Sequence, residues 1–469
     1  MYYMEDILER IINLALDMDV EYADVRYQRF SSNLIIADNG KISFYESNTL
    51  QGIGLRVFKY GGWGFSSTTD FDSDSIKRMV KNAVSISEAV GSSAKRKRSE
   101  IVDVKTVHAK EKVSVKVDPM DIPPEEKIEL ILTANKNAMI SEHIKNSYSR
   151  LGDFRDTRLF MNSEGSKIEV DVTMVGFMQM SVAKKNGELE RVYSNKSYTK
   201  GFEFFKEIDA SDFAIKISEL ALSAVNTQHA KPGEYPVVLD PKIIGLFVHE
   251  AMGHATEGDL ISNNESILAN KLNKQIGSEL VTIVDDGRIE GGYFVPYDDE
   301  GVKKVRTITV ENGILKAFLT SRETAYLLEM SPSGNGRAQN YENLPIVRQT
   351  NYFIEPRDFS FEELIEDIKE GYYIKGEGAG GGQVDVGQGT FTFQTGPSYI
   401  IRNGELGEMV RGTIISGDIL TTLKSIDGVG KDFHISTSIF GGCGKQGQSV
   451  KVGDGGPHVR VSKMVIGGR

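Results

Sequence analysis

Cysteine is almost absent from this 469-residue chain: Cys443 stands alone, so no disulfide can close within it. A lone thiol fits a reducing compartment better than a disulfide-stapled secreted scaffold. Histidine is sparse too, with seven residues at 108, 143, 229, 249, 254, 434 and 458. Basic charge is in deficit. Lys and Arg number 55 against 66 Asp and Glu, giving a formal charge of −11 and a pI near 5.4. That balance argues against a nucleic acid or an anionic membrane as partner, because each is met by a basic face. No apolar run reaches the roughly 18 residues needed to cross a bilayer. The opening Met-Tyr-Tyr-Met-Glu-Asp-Ile-Leu-Glu-Arg10 is acidic and amphipathic, unlike a signal peptide with its basic start and apolar centre. We expect a cytoplasmic protein with no membrane partner.

Against this scarcity, two of the seven histidines fall together in Val248-His249-Glu250-Ala251-Met252-Gly253-His254. The segment begins at Pro241 and runs apolar through Ile243, Ile244, Leu246 and Phe247, the pattern of a buried helix opened by proline. An unpaired imidazole is costly in such a place, and a shared metal ion would justify both. Two imidazoles beside a carboxylate are the residue types of a metalloprotease, in which the Glu acts as general base. The spacing differs from the common one. Histidines at i and i+4 lie about 40° apart on a helix, whereas i and i+5 lie roughly 140° apart. To share one ion, the helix must widen by one residue into a π turn, or end near Gly253 and let His254 swing back.

The rest of the chain reads as mixed helix and strand. Ile7, Leu8, Ile11, Ile12, Ala15 and Leu16 recur at helical spacing over residues 4–18. Alternating runs at 24–29, 33–37 and 41–45 follow, with Asn39-Gly40 between the last two as a hairpin turn. The same pair returns at 186–187, 312–313 and 403–404 with no fixed period, so no solenoid or propeller is expected. Helices are expected after Asp72 or Ser73, from Pro123 and Pro124 through Met139, and from about 210 to 225. The stretch Gly91 to Glu100, with the basic run Lys95 to Arg98, reads as a solvated linker without function. Residues 376–381 satisfy G-x-G-x-x-G by letter, but strand-like sequence follows where a dinucleotide site needs a helix, so no nucleotide is expected. Lys231-Pro-Gly-Glu-Tyr-Pro236 is a turn-rich break. We expect an α+β fold: an N-terminal α+β domain of mixed helices and antiparallel strands over 1–230, with a sub-boundary near 91–105, and a β-rich C-terminal domain over 231–469 carrying the metal-site helix.

A hydrolytic zinc site needs three protein ligands and an open position for water. Candidates for the third are Cys443, His434, His458, Glu257 and Asp259; the last two could equally orient the imidazoles. Cys443 sits among glycines with Lys445 close by, which suggests an exposed, flexible and electropositive setting that favours thiolate.

With Glu257-Gly-Asp259, Asp298-Asp-Glu-Gly301, Glu311-Asn-Gly-Ile-Leu-Lys316, Ser331-Pro-Ser-Gly-Asn-Gly-Arg337, Gly380-Gly-Gly-Gln-Val-Asp385 and Cys443-Gly-Lys-Gln-Gly-Gln-Ser449 following the His-Glu motif in order, the sequence resembles the TldD/PmbA peptidases, most closely the TldD branch. The resemblance implies a zinc peptidase acting on unfolded or short peptides. It implies His249, His254 and Cys443 as metal ligands and Glu250 as the catalytic carboxylate. It also implies a homodimer, or a heterodimer with a TldE/PmbA-like sister subunit that lacks the His-Glu motif. Residues 260–275 depart from the stretch associated with bacterial members. Two other readings stay open: a zinc-stabilised subunit that binds peptides without cutting them, and a hydrolase that uses Cys443 and a histidine as its nucleophile and base.

Overall fold

The computed structural model describes residues 2–93 and 100–467; the Lys95 to Arg98 run lies outside the described residues. Residues 22–198 supply one seven-stranded sheet. Its order is Gly62–Thr68, Lys41–Lys59, Tyr22–Asp38, Ile144–Asn162 and Lys167–Lys185, the last flanked by both His108–Lys112 and Glu188–Tyr198. All of these pairings are antiparallel except that of His108–Lys112. Strand alternation gives the sheet two different faces. Ala23, Val25, Tyr27, Ile53 and Leu55 bury against the helices Tyr2–Leu16 and Ser73–Gly91. Further along the same face, Ile35, Ala37, Leu151 and Phe177 bury against Pro124–Asn137 and Ala210–Ala224. Asp72 caps the second helix by accepting from the N–H groups of Asp74 and Ser75, at 3.0 Å each.

The opposite face is turned to the C-terminal half. Arg56 donates to Asp24 at 2.5 Å and to Glu300 at 2.7 Å, with all three side chains buried. Arg158 pairs with Asp299 at 2.8 Å, and Gln28 accepts from the N–H of Tyr341 at 3.0 Å.

All four Asn-Gly pairs are hairpin turns with positive φ at both residues, the conformation that matches strand twist. Two of them lie in the C-terminal half, which is built on two larger sheets. A six-stranded sheet has the order Ile314–Leu315, Thr307–Glu311, Ile283–Asp285, Asn351–Ile354, Gly453–Gly456 and His434–Thr437. A ten-stranded sheet includes Gly233–Leu239 near its centre and Gly381–Asp385 at one end. The segment expected to carry the metal site leaves Gly233–Leu239 through Asp240, whose side chain accepts from the Ile243 N–H at 2.9 Å. It then runs as the helix Pro241–Phe247 into the space between the two sheets. Ile243, Ile244, Phe247, Val248, Ala251 and Met252 are fully buried there, against Val237 and Leu239 of one sheet and Tyr352 and Ile354 of the other. Apolar contact with both sheets fixes the helix axis and so fixes where its polar residues emerge.

Candidate metal centre

The helix does widen. It passes from the α-helical Pro241–Phe247 into a π turn over Val248–Gly253, and the His254 N–H donates to the His249 carbonyl five residues back. That bond brings residue i+5 round over residue i, and the two imidazoles meet nearly perpendicular with ring centroids 5.3 Å apart. The alternative expectation, a helix that stops at Gly253, does not hold. Gly253 keeps helical angles, φ −59° and ψ −54°, and the chain continues into a tight turn over His254–Thr256. The glycine is needed for space instead: a Cβ there would overlap the side-chain amide of Gln349, which donates to the same His249 carbonyl at 3.1 Å. Nothing in the sequence around Gln349 signals this role.

Cys443 joins the histidines from 189 residues away. Its Sγ lies 3.2 Å from His254 Nε2, and the ligand atoms of His249, His254 and Cys443 all fall within 4.8 Å of one another. The thiol is not exposed, as its glycine-rich surroundings suggested; it is 5% accessible, in the strand Cys443–Lys445 paired with Gln448–Val450. Burial opposes ionisation, but the adjacent imidazoles of His249 and His254 outweigh it and bring the thiol pKa down to about 4. Burial likewise opposes charge on the rings, and the thiolate and Glu257 overcome it, so both histidines are raised, His254 well above its ordinary value. Lys445 does not supply the positive charge. It turns to Glu257 at 2.9 Å and Asp259 at 2.7 Å.

Neither carboxylate belongs to the three-residue cluster, and of the two only Glu257 is bonded to one of its imidazoles. Glu257 Oε2 accepts from His254 Nδ1 at 3.0 Å, which leaves His254 Nε2 facing the thiol. Burial alone would raise the Glu257 carboxyl, but His254 and Lys445 hold it below the usual range. His458 is engaged elsewhere, with Asp432 at 2.8 Å and the Tyr373 hydroxyl at 2.9 Å, and His434 lies on a strand outside the cluster. Glu250 is 4.0 Å from His254 Nε2 and its side chain is 30% exposed, against 14% for His254, so it is the accessible polar group of the motif. Asp454 is a neighbour that sequence reasoning did not single out; burial, with Glu250 and Cys443 nearby, pushes its pKa up to about 6.

Models of the PmbA/TldA metallopeptidase match the chain in three parts: domain 1 over residues 23–87, the central domain over 118–225 and the C-terminal domain over 232–468. This chain belongs to the TldD/PmbA family. A metalloprotease of Methanocaldococcus jannaschii is 41% identical to this family member over 447 residues, covering 95% of this chain and 97% of the relative. A zinc metalloprotease TldD homolog of Saccharolobus solfataricus is 31% identical over 462 residues, covering 98% and 99%. The fold is also that of TldE from Thermococcus kodakarensis, with a TM-score of 0.79 at 17% identity over 98% of this chain and 99% of that one. The TldD/PmbA family name and these relatives imply a metal-dependent protease. In this member, one thiolate and two imidazoles form the donor set that could hold the metal, and such a set suits zinc. His249 Nδ1 is buried without a hydrogen-bond partner among the described residues. No helix among the described residues is long and apolar enough to cross a membrane.

Proposed function

We propose that the chain is a zinc-dependent peptidase that hydrolyses short or unfolded peptides in the cytoplasm, with His249, His254 and Cys443 as ligands and Glu250 as general base. The observation that carries this reading is the convergence of three donors from two distant segments beside one accessible carboxylate. Bound zinc supplies Lewis acidity and brings the pKa of water toward neutrality. Glu250 takes the proton from the attacking water and passes it to the leaving amine. Glu257 keeps His254 in the tautomer with Nδ1 protonated, and Lys445 keeps Glu257 ionised. Residues 231–469 form the peptidase domain in this reading.

The strand Gly381–Asp385 ends the ten-stranded sheet, pairs only with Thr390–Gln394 among the described residues, and packs beside the π turn. Its free edge suits a peptide added as a further strand through main-chain hydrogen bonds, with little dependence on side chains. Assembly as a homodimer or with a TldE/PmbA-like sister subunit is part of the proposal, supported by the likeness to the TldE fold.

The test pairs metal content with hydrolysis of an unstructured peptide. Wild type should carry about one zinc per chain and Cys443→Ala much less. Glu250→Gln should keep the metal and lose hydrolysis by a factor of about 100 or more. Wild-type hydrolysis by Glu250→Gln would refute the general-base assignment.

A further inference from the structure

Between the long N-terminal sheet and the loops of the C-terminal half lies a cavity of about 310 Å³, within the size range of small-molecule sites. None of His249, Glu250, His254 and Cys443 lines it. Its walls are mainly apolar, with Phe30, Phe154, Phe160 and Val172 from the sheet and Tyr293 and Val295 from the C-terminal half, and they also carry the carboxylates Asp156, Asp298 and Asp299 and the cation Lys451. Three arginines are set into these walls, and they are unequally neutralised. Arg158 is held by Asp156 at 2.9 Å and Asp299 at 2.8 Å. Arg26, only 5% exposed, reaches the already engaged Asp299 at 3.8 Å, donates to the Asn343 carbonyl, and keeps a buried Nε with no acceptor among the described residues. Arg337, 6% exposed, makes its two hydrogen bonds to the main-chain oxygens of Gln349 and Lys451. Burial draws its pKa down to about 10, although Asp299 acts in the opposite direction. Buried guanidinium groups without a full complement of carboxylates are destabilising until an anion completes them.

We propose that this cavity binds a small monocarboxylate with an apolar body, the carboxylate held by Arg26 and Arg337 and the apolar part against the aromatic walls. Charge-assisted bonds to two guanidinium groups would fix the anion, and the apolar walls would set the length of the body. Val450 lines the cavity and pairs with Cys443, so the ligand would sit directly behind the hairpin that carries the thiol. Two sources share this chemistry: the C-terminal residue of a short peptide and a free medium-chain fatty acid. The site stands independently of the peptidase reading, because binding alone tests it.

The experiment is calorimetric titration of the full chain with N-acetyl-L-leucine and with hexanoate, each beside its neutral amide. At least one acid should bind about tenfold or more tightly than its amide. Leu50, 48% exposed at the cavity rim, can be enlarged without touching the core, so Leu50→Trp should weaken that binding about tenfold. Phe44→Trp, at a position 44% exposed on the same strand but outside the cavity, should not. Tighter binding of N-acetyl-L-leucine would assign the peptide source, and of hexanoate the fatty-acid source. Equal binding of acid and amide, or no binding at millimolar concentration, overturns the proposal. So does undiminished binding by Leu50→Trp, which would mean capture of the carboxylate at the metal centre instead.

Discussion

Gly253→Ala tests the physical account of the π turn most directly. Because Gly253 has helical angles, alanine is intrinsically favoured there by about 1 kcal/mol. Space opposes that gain. The added Cβ would meet the Oε1, Cδ and Nε2 atoms of Gln349, a fully buried side chain. Overpacking of this kind costs about 1–3 kcal/mol. Shifting the amide to make room also breaks its bond to the His249 carbonyl and leaves it buried without that partner, at about 1–3 kcal/mol more. The two costs less the propensity gain leave a net loss of about 1–5 kcal/mol, read as a lowered urea midpoint at unchanged slope. Gln349→Ala should relieve the overlap, so the double variant should be more stable than the sum of the two single losses predicts, with a coupling of about 1 kcal/mol or more. Zinc content should fall with Gly253→Ala and recover in part in the double variant. A Gly253→Ala protein within about 0.5 kcal/mol of wild type, or strictly additive effects, would refute the role given to this glycine.

Arg56→Met leaves Asp24 and Glu300 as buried carboxylates without their shared partner, and should cost about 3–5 kcal/mol; proteolysis should then separate the N-terminal sheet from the C-terminal half more readily than in wild type. Lys445→Met removes the cation that keeps Glu257 ionised against His254, so zinc affinity measured by chelator competition should fall about 10–100-fold, and unchanged affinity would break that chain of orientation. Burial, with Arg150 nearby, lowers the Lys451 pKa from 10.5 to about 8. The unfolded chain therefore binds this proton more tightly than the folded one, so the penalty for folding is present below pH 8 and is relieved as pH rises toward 10.5. Stability should climb through that window in wild type and climb less in Lys451→Met, as measured by urea midpoints at each pH.

Much of this molecule is legible from local chemistry. Asn-Gly at 39–40, 186–187, 312–313 and 403–404 forms a hairpin turn each time, because both residues tolerate the positive φ that the turn requires. Asp72 and Pro124 mark helix starts for reasons confined to one helical turn. The i+5 spacing of His249 and His254 restricted the backbone to two solutions, since a regular helix holds those rings apart. The solution adopted is packed against Gln349, which reaches Gly253 from almost a hundred residues away. Burial of Cys443 was illegible for the same reason. Its neighbours in sequence are glycines, while its neighbours in space are two imidazoles and the packed end of a helix. The sequence by itself determined the elements, the turns and the residue types of the metal centre, because these follow from interactions within a few residues. Which donors meet, how far the thiol is withdrawn from water and where the buried arginines fall short of counter-charge were decided only by the tertiary structure, since burial and electrostatic pairing depend on segments that the chain brings together from afar.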